Sequence, residues 1–360
     1  NLLTGILAKK LGAKKVIVRV NTMESLSKES WRIYQDLGID GIVSPEDIAA
    51  QEIINLLKQN VATEAHDFAG GKLELLMIKL EPNAKAINKT LEEVIENFKH
   101  IDFRALAIHR RQNTFIPKAH DVFKEGDLVY VITKPHAIKE LMQLSGKTKF
   151  NINNVMIVGG GRVGKLTAKR LEDDLNIKLL ESDKQRCSEL TNFLSDTMII
   201  NADARNVDLL EEEGIKDMDA FIAVTDNTET NILTCLQAKS FGVKRTIAMV
   251  ENIDYIDISQ NIGIDTIINK KLIAASYMVR YTLGGNVSSL KCLSGIDADI
   301  VEFVVRDGAE VTNRPINRLD MPDGAIIGGI IRGEDSYIAT GNFQIQAEDR
   351  VVVLVLPKTI

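Results

Sequence analysis

The feature that most constrains the fold is an internal repeat with an offset of 230 residues. Residues 1–21 align without gaps on residues 231–251, and nine positions are identical, where chance would give about one or two. The identical positions of the first copy are Asn1, Leu3, Thr4, Ala8, Lys9, Gly12, Lys14, Ile17 and Val20. After a five-residue length difference the match resumes, with LGID at 37–40 on IGID at 262–265. A duplication of this kind predicts two equivalent structural units.

A weaker internal similarity pairs FKEGDLVYVI at 123–132 with IQAEDRVVVL at 345–354. We therefore interpret the chain as a nucleotide-type unit and a smaller strand-rich unit, each present twice. The predicted segments are 1–63, 64–150, 151–284 and 285–360. The 77 residues at 154–230 have no counterpart before Asn1. We expect the first unit to be truncated at its front, without its own phosphate loop.

Composition excludes several classes of protein. With 45% apolar and 26% charged residues, the chain is typical of a globular protein. It has no apolar run of the ~18–20 residues that a membrane-spanning helix needs. The net charge of −6 offers no electrostatic footprint for nucleic acid. Cys187, Cys235 and Cys292 show no C-x-x-C spacing, so we expect buried thiols and neither a disulfide framework nor a metal site.

The sharpest local motif is VMIVGGGRVG at 155–164, an apolar β-branched run followed by G-x-G-x-x-G. In this motif Gly159 permits the tight turn, Gly161 lets the backbone approach a pyrophosphate, and Gly164 lets helix and strand pack closely. A helix follows, with an apolar face predicted through Gly164, Ala168, Leu171 and Leu175. Free N–H groups at the helix start would bind the anion.

An acidic residue in the expected place strengthens this interpretation. The strand predicted at 178–180 ends in Glu181, 22 residues after Gly159. A carboxylate at about this spacing hydrogen-bonds the adenosine ribose. Because it would repel a 2′-phosphate, NAD(H) is favoured over NADP(H).

Further strands are predicted at 198–201, 220–225, 246–250 and 266–268, alternating with helices at 205–214, 229–241 and 253–262. This order predicts an α/β fold with a Rossmann-like, doubly wound parallel sheet. Ligands of such sheets bind beyond the carboxyl ends of the strands. Glu181, Asp203, Thr225 and Asp226 all follow strand ends, so we expect a nucleotide pocket there.

Catalysis by this pocket is not predicted. Hydride-transfer enzymes need an acid or base beside the nicotinamide, and none of the five histidines lies within 151–360. Nucleotide binding as a signal is therefore favoured, and an NAD-dependent oxidoreductase is the alternative. A redox-sensing repressor would need a helix-turn-helix and a basic patch, and neither is evident.

Five strings together resemble the TrkA family, the RCK (KTN) regulatory subunits of Trk potassium-uptake systems. They are VMIVGGGRVG, KLLESDKQRC (178–187), NADARNVDLLEEEGI (201–215), DAFIAVTDNTETNI (219–232) and AKSFGVKRTIAMVEN (238–252). The resemblance implies two tandem pairs of an RCK-N domain and a smaller α+β RCK-C domain. Here Asp226 is followed by Asn227, where the family often has an acidic pair.

The resemblance also implies a ligand, partners and site residues. NAD or NADH, or adenine nucleotides such as ATP and ADP, would bind the RCK-N units. The chains would form a homo-oligomer, cytoplasmic and peripheral on the inner membrane face, that opens or closes a potassium channel subunit. By position, Gly159, Gly161, Arg162, Val163 and Gly164 cradle phosphates. Glu181 takes the ribose, Ala202 and Asp203 flank the adenine, and Thr225 and Asp226 line the pocket floor.

Overall fold

Helices and strands alternate through both nucleotide-type segments of the computed structural model. The structure describes residues 1–21, 28–58, 64–111, 113–146, 151–282, 287–293 and 298–356. The elements of the first half are α1 (Leu2–Lys10), β1 (Ile17–Arg19), α2 (Lys28–Asp36), β2 (Gly41–Val43), α3 (Pro45–Lys58), β3 (Glu64–Phe68), β4 (Leu73–Lys79), α4 (Leu91–Asn97), β5 (Phe103–Arg110), β6 (Asn113–Phe115), β7 (Leu128–Thr133) and α5 (Ile138–Leu144).

The second half repeats this pattern after a complete nucleotide-type front. Its elements are β8 (Asn154–Val158), α6 (Arg162–Leu171), β9 (Asn176–Glu181), α7 (Lys184–Thr191), β10 (Thr197–Asn201), α8 (Val207–Glu212), β11 (Ala220–Ala223), α9 (Thr228–Ser240), β12 (Arg245–Met249), α10 (Asp254–Asn261), β13 (Thr266–Ile268), α11 (Lys270–Thr282), β14 (Val287–Cys292), β15 (Asp299–Val304), β16 (Ala325–Arg332), β17 (Asp335–Ile338) and β18 (Arg350–Val355).

The chain divides into two compact units, each built from both halves. One unit contains Asn1–Lys58 with Asn151–Thr282, and the other contains Gln59–Phe150 with Leu283–Ile360. Each unit therefore pairs a segment of the first repeat with its counterpart in the second.

The first unit contains a six-stranded parallel sheet with the order β10-β9-β8-β11-β12-β13. This is the strand order of the Rossmann fold, so the predicted fold class is confirmed. The strands β8, β11 and β12 lie in the middle and are buried, which explains their nearly continuous apolar runs.

One predicted helix end is wrong. The apolar pattern extended the helix after the glycine motif to Leu175, but α6 ends at Leu171. Glu172 caps the helix, and Asp173 and Asp174 follow it. Negative charges oppose the dipole at a helix C-terminus, which disfavours another turn.

The repeat reappears as the same ion pair in both copies. Lys9 Nζ lies 2.9 Å from Asp40, and Lys239 Nζ donates to Asp265 at 2.8 Å. Each aspartate also accepts the backbone N–H at the start of the adjoining strand, at 2.7 Å in both copies. These contacts explain why the lysine and aspartate occur in both copies of the sequence.

The asparagine that opens the repeat joins two neighbouring strand ends. Asn231 is buried; its Oδ1 accepts the Thr225 N–H at 2.9 Å, and its Nδ2 donates to the carbonyls of Thr225 and Met249 at 2.9 and 2.8 Å. In the first copy, Asn1 Nδ2 donates to the equivalent carbonyl of Arg19 at 2.8 Å.

The second unit contains two five-stranded antiparallel sheets of identical topology. Their orders are β3-β4-β7-β5-β6 and β14-β15-β18-β16-β17. A buried aspartate in each, Asp127 or Asp349, accepts hydrogen bonds from the arginine at the end of β5 or β16 at 2.7 Å. Apolar residues from both sheets belong to one core cluster, so each sheet buries one face in this shared core.

Two further predictions, on membrane-spanning helices and on the cysteines, can be compared with the described residues. No helix in this part of the chain is long and apolar enough to cross a bilayer. Cys187 and Cys235 are buried, and burial raises the pKa of both thiols, so they remain neutral packing groups. The side chain of Cys292 lies outside the described residues.

We expect Asn231→Ala to lower the free energy of unfolding by about 2–3 kcal/mol, because it leaves buried N–H and carbonyl groups unpaired. Urea denaturation measures this change. The control is Asn261→Ala, which removes one exposed bond to Asp257 at 3.1 Å and should change stability by less than about 0.5 kcal/mol. Equal effects of the two substitutions would contradict the anchoring role of Asn231.

Candidate functional site

The glycine motif forms a tight turn between β8 and α6. Gly159 has φ +102°, which a residue with a side chain rarely adopts. A Cβ on Gly164 would overlap the carbonyl oxygen of Gly159, whereas a Cβ on Gly161 would meet nothing within 4 Å. Gly159 and Gly164 therefore shape the turn, and Gly161 leaves open space in front of it.

Helix α6 begins at Arg162, directly after this turn. Its N-cap is Gly161, so no side chain caps the first backbone N–H groups. These groups and the positive end of the helix dipole together favour an anion. The arrangement is the one that binds phosphate at the start of a Rossmann sheet.

Glu181 lies at the end of β9 and faces the glycine turn. Its carboxylate accepts the N–H of Gly160 at 2.9 Å and of Asp183 at 2.8 Å, and Arg186 lies 3.4 Å away. Only 6% of the residue is exposed. Glu181 thus holds the loop in place through these hydrogen bonds. The sequence predicts a second role for it, binding of the ribose.

The other predicted residues follow the ends of β10 and β11, which are separated in the sheet by β9 and β8. Ala202 and Asp203 follow β10, where Ala202 donates its N–H to the Glu181 carbonyl at 2.9 Å. A hydrogen bond from Arg205 lowers the pKa of Asp203. Thr225 follows β11, and its N–H and hydroxyl both donate to Asn231.

A cavity of about 400 Å³ lies at the start of α6. It is lined by Glu46, Gly160, Gly161, Arg162, Val163, Lys165, Arg186, Glu189, Leu190, Val224, Asp226, Met249 and Lys270. Of the predicted residues, Gly161, Arg162, Val163 and Asp226 line this cavity directly. Gly159, Gly164 and Glu181 support its wall, while Ala202, Asp203 and Thr225 are not among its lining residues.

Sequence reasoning missed most of the cationic lining. Besides Arg162, the cavity gathers Lys165, Arg186 and Lys270 against three acidic residues. Lys165 follows the motif by one residue and Lys270 opens the helix after the last strand. Lys270 could have been predicted as a lining residue from its place just after the end of β13.

The first repeat contributes Glu46 to this cavity, which no local motif indicated. Glu46 lies in the first turn of α3, is 8% exposed and pairs with Arg19 at 3.0 Å. Its Oε2 is buried without a hydrogen-bond partner among the described residues. Arg170 on α6 pairs at 2.8 Å with Asp47, the residue next to Glu46 on α3. This ion pair joins α3 to α6.

Most of the chain matches two families of protein domains. Residues 155–270 match the TrkA-N domain, and residues 75–146 and 300–360 each match the TrkA-C domain.

Two archaeal relatives are similar over nearly the full chain. The Trk system potassium uptake protein TrkA homolog 2 of Methanosarcina mazei is 31% identical over 90% of this chain and 72% of its own length. The TrkA homolog of Archaeoglobus fulgidus is 31% identical over 98% of this chain and 79% of its own length.

Among solved structures, a GsuK channel bound to NAD covers 99% of this chain and 63% of its own, with a TM-score of 0.55 and 16% identity. At this identity the similarity concerns the fold.

The two glycines of the motif should differ in their effect on stability. We expect Gly164→Ala to cost about 2 kcal/mol, since the new methyl group would meet the Gly159 carbonyl. Gly161→Ala should cost less than about 0.5 kcal/mol, because its methyl group enters open space. Chemical denaturation of both variants tests this difference; equal stability would contradict the described turn.

Proposed function

The chain belongs to the TrkA family, and on this premise we propose that it is a nucleotide-sensing regulatory subunit of a potassium uptake system. In this proposal, binding of a nucleotide changes the conformation of the chain and thereby gates a membrane potassium channel subunit. The observation that carries the proposal is the cavity at the uncapped start of α6, lined by the glycine motif and by residues of both repeats.

We propose NAD(H) as a ligand, with ATP and ADP as further candidates. The open space at Gly161 and the free N–H groups of α6 suit a pyrophosphate. The Glu181 carboxylate beside the turn suits an unmodified ribose and disfavours a 2′-phosphate. A GsuK channel of the same fold is described as bound to NAD, which supports this choice.

The proposed residue roles are those that the resemblance to the family implies. Gly159, Gly161 and Gly164, with Arg162 and Val163, hold the phosphates. Glu181 binds the ribose, Ala202 and Asp203 lie beside the adenine, and Thr225 and Asp226 form the floor. Lys165, Arg186 and Lys270 are added here because their cationic side chains line the same cavity.

Membership of the family also indicates whether the chain is an enzyme. Its members reported above are named as potassium uptake proteins, which confirms the expectation that the chain is not an enzyme. The sequence of the intact nucleotide-type segment agrees, since residues 151–284 contain no histidine.

A signalling role requires that ligand binding favours one conformation over another. Glu46 links the nucleotide site to the first repeat, because a nucleotide at the start of α6 would lie beside its carboxylate. The pairing of Arg170 with Asp47 joins the two helices concerned. Nucleotide charge would therefore act on the relative position of the two repeats.

We extend the proposal to assembly and location. The chain would act as a homo-oligomer, cytoplasmic and peripheral at the membrane, bound to the transporting subunit. We also propose the four-part division at 63/64, 150/151 and 284/285. It is supported by the family matches within three of these segments.

Gly161→Val tests the ligand site. We expect at least a tenfold loss of NADH affinity (about 1.4 kcal/mol) in calorimetry, because the side chain occupies the pyrophosphate position. The variant should still fold, as shown by an unchanged thermal midpoint. In liposomes that carry the transporting subunit, it should also lose the nucleotide-dependent change in potassium flux. Undiminished NADH affinity would refute the site, and steady NADH consumption by the wild-type chain would support an oxidoreductase instead.

Glu181→Gln tests the discrimination between cofactors. Glutamine keeps an acceptor for the Gly160 N–H but removes the negative charge. We expect NADPH affinity to rise roughly tenfold relative to NADH, equivalent to about 1.4 kcal/mol. Competition binding measures this ratio; an unchanged ratio would mean that Glu181 does not face the ribose.

A further inference from the structure

The strand order divides the cavity at the start of α6 into two sides. The glycine turn follows β8, which lies between β9 and β11. Glu181 ends β9 and marks the side that we propose for the adenosine ribose. Val224 follows β11 and Met249 ends β12, so these two lining residues mark the opposite side. A nucleotide with its pyrophosphate at the turn would therefore extend its second half over β11 and β12.

This opposite side, which we call the distal half of the cavity, is lined by Glu46, Val224, Asp226, Met249 and Lys270. Glu46 belongs here because α3 packs against α6 and against α11, the helix that follows the last strand on this side. Lys270 pairs with Glu251 at 2.9 Å, which offsets its positive charge. The distal half therefore combines two apolar side chains with the carboxylates of Glu46 and Asp226.

Glu46 has hydrogen-bonding capacity that the described residues do not use. Its Oε1 accepts a hydrogen bond from Arg19 Nη2 at 3.0 Å, whereas its buried Oε2 has no partner among these residues. A buried carboxylate oxygen without a donor is unfavourable, and a ligand that supplies a hydroxyl or an amide N–H on this side would relieve that cost. A phosphate would instead add negative charge beside a carboxylate that is shielded from water.

We propose that Glu46 selects dinucleotides over nucleoside triphosphates at this site, an inference that rests on the proposed nucleotide function. In NAD(H) the half beyond the pyrophosphate is a nicotinamide riboside, which offers hydroxyls and a carboxamide as donors. In ATP the terminal phosphate takes the same direction and is repelled. Val224 and Met249 offer apolar surface that suits a ring. The first repeat thereby determines which nucleotide the second repeat binds.

A series of ligands tests this inference on the unmodified chain. ADP, ADP-ribose and ATP share the adenosine and the pyrophosphate and differ only beyond them. In calorimetry with EDTA present, we expect ADP-ribose to bind more tightly than ADP, and ATP to bind roughly tenfold more weakly than ADP. Metal-free ATP that binds as tightly as ADP would contradict the proposal.

Glu46→Gln isolates the effect of the charge, because glutamine keeps an acceptor for Arg19 and removes the negative charge. We expect ATP affinity to rise roughly tenfold relative to NADH affinity, equivalent to about 1.4 kcal/mol. The control is Glu229→Gln. Glu229 is likewise the second residue of a helix, α9, but it is exposed and is not among the residues that line the cavity. This control should leave the ratio unchanged, and Glu46→Asp, which keeps the charge, should retain the preference for NADH.

The possible outcomes separate this inference from the proposed function. A chain that binds neither NADH nor ATP would refute both. A chain that binds both, with the same ratio in the Glu46→Gln and Glu229→Gln variants, would overturn only the role of Glu46. ATP affinity that Mg²⁺ raises in the unmodified chain but not in Glu46→Gln would also overturn it, because Glu46 would then act as a metal ligand. The ligand series needs no substitution, so it decides the question even if Glu46→Gln does not fold.

Discussion

The close contact between Gly164 and the Gly159 carbonyl is the constraint on which the nucleotide end of the sheet depends. Because Gly164 has no Cβ, α6 approaches the turn closely and directs its uncapped N–H groups across the end of β8. Glu181 then holds the Gly160 N–H, which keeps the loop in this form. The cavity lies at this turn, and an ion pair between Arg170 and Asp47 joins α6 to α3.

The duplication retains one polar contact in both copies. The pair of Lys9 with Asp40 recurs as Lys239 with Asp265. Each aspartate also accepts a backbone N–H at 2.7 Å, so its loss would remove the partner of both the lysine and that N–H group. Apolar positions need mainly volume, as at Leu2 and its counterpart Ile232, which differ in shape but not in size.

Much of the site was predictable because backbone geometry restricts residue type. Positive φ at Gly159 and close packing at Gly164 exclude side chains, so the motif indicates its own structure. The cationic lining and Glu46 were not predictable from any motif. Surface-directed side chains satisfy no local geometric rule, and their meeting depends on how separate helices pack.

The parallel sheet, its glycine turn and the duplication could be predicted from the sequence alone, because periodicity, glycine and repeated polar partners act over short distances along the chain. The position of Glu46 from the first repeat in the cavity of the second, more than one hundred residues away, follows only from the packing of the folded chain. The same holds for the packing of α5 on one face of the first antiparallel sheet. Such contacts join residues far apart in sequence, and packing in three dimensions selects them.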